Sequence, residues 1–269
     1  MTNSIISTEI KRLLNLLEEQ REENEIIEWG SPIPFFGKIS KSEIATVGIN
    51  PSNNEFVDKN GLELLNENRR FQTLFSINAQ NWREINDSDL EKIELSLRTY
   101  FNNNPYNRWF GKLDFLFSGS NHSYYFPFEN IAHIDLVPFA TVNKWGKLDK
   151  KVQNNLLNIS IDSIGRIIKH TPVRLMILNG QAVVRQLLNI SDVELVKKHE
   201  PLWDLKRGRI NDVKGYSYYG KLSTLGGIQL EKKILVLGFN HNLQSSFGVT
   251  KEVHNEIKNW IQKMTTNAN

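Results

Sequence analysis

The chain contains no cysteine among its 269 residues. Disulfides, thiolate-held iron–sulfur clusters, zinc–thiolate sites and cysteine nucleophiles are therefore excluded together. Long apolar runs are missing as well. No stretch of about 18 apolar residues occurs, and the opening MTNSIISTEIKRLL lacks the basic start and unbroken apolar segment of a signal peptide. A soluble, cytoplasmic protein without membrane contact is expected. Glycine-rich phosphate loops of the P-loop or dinucleotide type are absent, and no ribose-binding acid follows a first strand at the required distance. His122, His133, His170, His199, His241 and His254 are scattered without metal-ligand spacing, so neither metal nor cofactor is expected.

What is present suits a globular enzyme. With 39% hydrophobic residues, the chain can bury a core as one domain spanning 1–269, and 23% charged residues set it apart from disordered or fibrous sequences. The balance of 33 Lys+Arg against 30 Asp+Glu tolerates a nucleic-acid partner without arguing for one.

Apolar residues at Ile10, Leu13, Leu14 and Leu17 recur at helical spacing and predict an amphipathic helix over 7–27. Ser31–Gly37, with two prolines, must be extended. Four short apolar runs read as buried strands: Glu43–Ile49, Ile131–Val137, Val173–Leu178 and Lys233–Leu237. Helical patterns lie between and after them, at Lys150–His170, Gln181–Asn189 and Lys251–Lys263. Alternation of this kind predicts an α/β fold with a four-stranded parallel sheet and helices on both faces. Residues 193–231 break the rhythm and read as a loop-and-hairpin elaboration. In open parallel sheets ligands collect at the carboxyl ends of strands, which directs attention to the residues after each run.

Three such segments carry polar chemistry. Gly48-Ile49-Asn50-Pro51-Ser52 offers close backbone approach, a locked turn and an amide able to hold a water. Its ordinary explanation is a simple Asn-Pro turn. His133-Ile-Asp135-Leu-Val-Pro-Phe139 brings a carboxylate out of an apolar strand, where burial is costly unless something satisfies it. A turn cap or a pairing with Lys144 would account for it, and His133 reads as a structural histidine. Asn240-His241-Asn242-Leu243-Gln244-Ser245-Ser246 sends an imidazole and two hydroxyls toward a helix, as a phosphate contact or a polar cap would.

In order and spacing these segments resemble the three motifs of the uracil-DNA glycosylase superfamily, closest to its mismatch-specific and single-strand-selective branches. Asn68-Arg-Arg-Phe71 resembles the box that opens a helix after the first motif in the mismatch branch. The likeness covers roughly 32–263. It departs at the third motif, where His-Pro-Ser is usual and His241 is followed by Asn242. It departs again at Asp135, where uracil-processing members commonly place Asn.

The resemblance implies hydrolysis of an N-glycosidic bond in DNA after the nucleotide is flipped. Asn50 would position the water, and His241 would donate a hydrogen bond to the departing base. Gly48, Ile49 and Asp135 would hold the base, with Phe56 or Phe71 stacked upon it. Ser52, Ser245 and Ser246 would meet phosphates, Leu243 or Gln244 would wedge the duplex, and the basic-aromatic stretch 197–219 would flank the groove. An ionised Asp135 accepts hydrogen bonds only, which favours an exocyclic amine over a carbonyl. A modified cytosine is the expected substrate, with antiviral defence as a fitting role. A uracil or thymine mismatch repair enzyme and an inactive nucleic-acid binder are the alternatives. No lysine falls in the three motifs, so no Schiff-base lyase step is expected. DNA is the expected partner of a monomer.

Overall fold

A computed structural model describes residues 2–20, 25–102, 107–207 and 211–266. Helix α1 (Thr2–Glu19) starts before and ends short of the expected span. Its stripe of Ile10, Leu13, Leu14 and Leu17 is buried, and burying each such side chain contributes on the order of 1.5–3 kcal/mol. Past the helix the chain is extended: Ile26 bridges Thr141, and the Ile27 N–H donates to the Ala140 carbonyl at 2.9 Å. Residues 21–24 of the expected helix lie outside the described residues.

The strands are β1 (Phe35–Phe36), β2 (Ile44–Gly48), β3 (Ile131–Asp135), β4 (Leu175–Asn179), β5 (Val196–His199), β6 (Tyr216–Leu225) and β7 (Ile228–Phe239). The other helices are α2 (Leu74–Ile77), α3 (Asp87–Arg98), α4 (Asn107–Asp114), α5 (Lys150–Ile159), α6 (Ser163–Lys169), α7 (Gln181–Ile190) and α8 (Lys251–Thr266). The α/β class holds, but the sheet is not the expected four-stranded parallel one. It is a mixed sheet of seven strands in the order β1-β3-β2-β4-β7-β6-β5. Strands β3, β2, β4 and β7 run parallel, while β1, β6 and β5 are antiparallel additions. Two of the additions come from 193–231, expected as a loop-and-hairpin elaboration; its strands pair antiparallel and extend the sheet.

The expected helix over 150–170 breaks into α5 and α6 at Ser160–Asp162. The Ser160 hydroxyl donates to the Leu156 carbonyl at 2.8 Å, competing with the helical ladder. The β6–β7 turn presses into the break: a Cβ on Gly226, whose φ is +58°, would stand 1.9 Å from the Ile161 carbonyl oxygen. Among the described residues no helix is long and apolar enough to cross a membrane.

Register fixes what the site can contain. Gly48 pairs with Asp135 across β2 and β3, Val47 with Leu178, and Asn179 with Phe239. The carboxyl ends of all four parallel strands therefore form one row, and the loops leaving them share one edge of the sheet.

Candidate active site

A cavity of about 550 Å³ opens at that edge. Gly48–Asn50, at the end of β2, and Asp135, paired with Gly48 at the end of β3, line it. The ends of β4 and α7 and the turn at Asn242–Ser245 line it too. Phe36, Trp109, Phe110 and Trp145 supply the aromatic lining.

Asn50 is tethered by its amide nitrogen, which donates to the Pro51 carbonyl at 3.1 Å and to Thr141 Oγ1 at 3.0 Å. Thr141 in turn donates to the Asn143 carbonyl at 2.7 Å. Both partners of the nitrogen are thus acceptors, which fixes the amide orientation. Among the described residues Oδ1 has no partner, and it can accept from a water in the cavity.

Asp135 is buried, and its Oδ1 stands 3.4 Å from His133 Nε2. His133 and Asp135 are two apart on β3 and so share a face. His133 Nδ1 lies 2.7 Å from Thr46 Oγ1, which also contacts the Tyr124 hydroxyl. Tyr124 is buried, and burial raises its pKa well above the ordinary phenol value, so the hydroxyl keeps its proton. Leaving that buried O–H without an acceptor would cost about 1–3 kcal/mol, so it donates to Thr46, and Thr46 donates to Nδ1. Nε2 then carries the proton and faces Asp135.

Gly48 makes room for this pair. A Cβ there would stand 2.3 Å from Asp135 Oδ1 and 2.9 Å from His133 Nε2. Gly48→Ala should displace the carboxylate and lower any turnover on the order of 10- to 100-fold, with the far-ultraviolet dichroism unchanged. Wild-type turnover in this variant would remove the steric role assigned to Gly48.

The cavity gathers Gly48, Ile49, Asn50, Ser52, Asp135 and Ser245. It leaves the other expected site residues outside. His241 is buried and turned away: its Nε2 donates to the Trp203 carbonyl at 2.7 Å. Burial also pulls its pKa below the ordinary imidazole value, keeping the ring neutral at pH 7. The next residue, Asn242, takes the place facing the cavity. Its Oδ1 accepts the N–H groups of Gln244 and Ser245 at 3.0 and 3.1 Å, so its NH2 is the end left for a ligand.

Leu243 is buried and unavailable as a wedge. Gln244 instead braces the wall, accepting from Asn179 at 2.7 Å and donating to the Trp109 carbonyl at 3.1 Å. The Ser246 hydroxyl is occupied locally, accepting from the Asn242 N–H at 2.9 Å. At the rim Ser52 and Ser245 are exposed, as is Lys144, while α7 begins at Gln181 with its amino end toward the cavity.

Phe56 and Phe71 are core residues. Phe56 packs against Trp29 and Gly30, and Phe71 stacks on Tyr100 with ring centroids 5.3 Å apart. Phe71→Ala should therefore cost about 3–5 kcal/mol of stability in urea denaturation. The relative preference among substrate bases should not change. A changed preference with little loss of stability would restore Phe71 to the site.

The box Asn68–Phe71 does not itself open a helix; α2 begins at Leu74, capped by Thr73. Much of the basic stretch is neutralised locally. Lys206 pairs with Asp212, Lys214 and His199 with Asp204, and Lys198 with Glu200. Gly208 and Arg209 of that stretch lie outside the described residues. No group of three His, Asp or Glu side chains able to hold a metal is found among the described residues.

No protein-family model matches the chain, and none of the curated proteins compared with it matches.

Trp109 and Glu55 are among the cavity residues missed in the sequence. Trp109 comes from α4, and nothing in its local pattern announces it. Glu55 is buried at the cavity wall, where its oxygens accept from the Tyr100 hydroxyl at 3.0 and 3.1 Å and from Arg70 at 3.3 Å. Burial pushes its pKa up to about 7, against the opposing pull of Arg70 and Tyr100 and with a further push from the Asp135 charge.

Proposed function

We propose that the protein is a monofunctional DNA glycosylase of the uracil-DNA glycosylase type that releases a cytosine-type base carrying a substituent. The observation that carries this reading is the pairing of an open amide oxygen on Asn50 with the buried acceptor Asp135 in one cavity. Asn50 would orient a water toward C1′ of an extruded nucleotide. Asp135 would accept from the exocyclic amine, and Trp109 or Trp145 would offer the aromatic face. The Asn242 amide, rather than His241, would donate to the ring carbonyl.

The cavity, at about 550 Å³, lies within the range of about 300–1,000 Å³ usual for small-molecule pockets, which leaves room for a substituent on the ring. Restriction to a substituted cytosine would spare unmodified DNA, which fits action against viral genomes. Exposed Ser52, Ser245 and Lys144, with the amino end of α7, suit the flanking phosphates.

The test is a panel of oligonucleotides bearing uracil, cytosine, 5-methylcytosine or 5-hydroxymethylcytosine, each single-stranded and duplex, scored for strand breaks after hot alkali. Breaks at a substituted cytosine are expected. Retardation of DNA without breaks on any member would leave only a binding protein, a reading that the inward turn of His241 favours.

A further inference from the structure

With His241 facing Trp203, the imidazole that does line the cavity, His133, is engaged by Thr46 and Asp135. Cytosine-type bases leave poorly as anions, so a group able to deliver a proton would have a large effect. We propose that Glu55 is that group: a carboxylic acid that protonates the ring of the departing base. This rests on the glycosylase reading above and deepens it.

The geometry separates two carboxyl groups by role. Asp135 stands 3.4 Å from His133 Nε2, whose N–H points to it as to an acceptor. Glu55 sits on the short turn Asn53–Glu55, buried against the Tyr100 hydroxyl in the lining of the cavity that Phe36 and Phe110 also line, where desolvation favours the neutral acid. The groups facing it are the Tyr100 hydroxyl, the Arg70 guanidinium from the segment after Asn66–Asn68, and Asp135 from β3, with His133 behind Asp135. Tyr100 and Arg70 hold the carboxylate that forms after transfer, so its charge is not stranded.

The step balances. The C1′–N1 bond breaks with its electron pair going to the base, and the Glu55 proton goes to N3 or O2 of the ring, releasing a neutral base. The water held by Asn50 bonds to C1′ and loses a proton to solvent, and Glu55 regains one from solvent.

The experiment is single-turnover base release across pH 5.5–9, on the best substrate of the panel, for wild type and for Glu55→Gln and Tyr100→Phe. Wild-type rates should fall about tenfold per pH unit above a midpoint near neutrality, as the acid ionises. Glu55→Gln, which keeps the shape but cannot give a proton, should lose on the order of 100-fold or more at pH 6 and show no alkaline limb. Tyr100→Phe removes a donor that favours the ionised form, so its alkaline limb should move to higher pH. A purely structural Tyr100 would not move the limb. A substrate with a more acidic leaving base, such as 5-fluorocytosine, should lose less to Glu55→Gln.

An unchanged rate and limb in Glu55→Gln overturns the assignment while leaving the glycosylase reading intact. If Glu55→Gln fails to fold, the Tyr100→Phe limb decides, and an unmoved limb overturns the assignment. Absence of base release by wild type from every substrate overturns both.

Discussion

Asn50→Ala should lower single-turnover base release by roughly 1,000-fold while changing DNA affinity by no more than about threefold. The split follows from where the side chain sits. Its nitrogen is spent on Pro51 and Thr141, so only Oδ1 is available, and what it offers is orientation of a water. Removing it leaves the cavity walls and the rim in place. Asn50→Asp should not rescue the loss. A carboxylate cannot donate to the Pro51 carbonyl, and two acceptors facing each other would swing the side chain away from its tether. Release by Asn50→Asp at or above the wild-type rate would mean that the water is activated by a base at this position. Equal losses of affinity and rate in Asn50→Ala would assign the residue to binding.

Asp135→Asn should move the preference from an amine-bearing base toward uracil, changing the ratio of the two release rates by roughly 10- to 100-fold. The direction depends on His133. The chain from Tyr124 through Thr46 leaves the proton on Nε2, so an amide at 135 turns its oxygen toward that N–H and its NH2 into the cavity. A donor then stands where the native protein presents an acceptor, which rejects the N4 amine and accepts O4. The readout is the ratio of release from uracil and from a cytosine-type base in otherwise identical oligonucleotides. A fall in both rates with their ratio unchanged would make Asp135 a support for the site, not its reader.

The parallel centre of the sheet is legible because Ala45, Val47, Ile134, Met176, Ile177 and Val236 are apolar on strands buried from both sides. Gly48, Asn50 and Asp135 are legible for the same reason, since topology alone brings strand ends to one edge. Of the added strands, the hairpin within 193–231 is legible and the outer two are not. In β5, Val196, Lys197, Lys198 and His199 are all exposed, so no burial pattern marks them, and β1 contains only Phe35 and Phe36. His133 could have been read from its two-residue spacing to Asp135, which places both on one face of a strand. His241 and Asn242 show the opposite limit. Which neighbour faces the cavity is decided by Trp203, 38 residues away in the chain, and by the turn that Asn242 caps. Glu55 lies in the polar run Asn53-Asn54-Glu55 and looks solvated; only Tyr100 and Arg70, 45 and 15 residues distant, reveal it as buried and held. Phe56 and Phe71 err in the other direction, because an aromatic near a motif is indistinguishable in sequence from one packed beneath it.

The most direct test of the account is the mass of what leaves the DNA. A duplex with one hydroxymethylated cytosine, incubated with excess protein, should yield the free intact base and a strand lighter by the mass of that base less one water, since a hydroxyl is gained at C1′. Release of a nucleoside, a nucleotide or a deaminated base, or full recovery of the starting strand from a stable complex, would contradict a cavity built to hydrolyse the N-glycosidic bond.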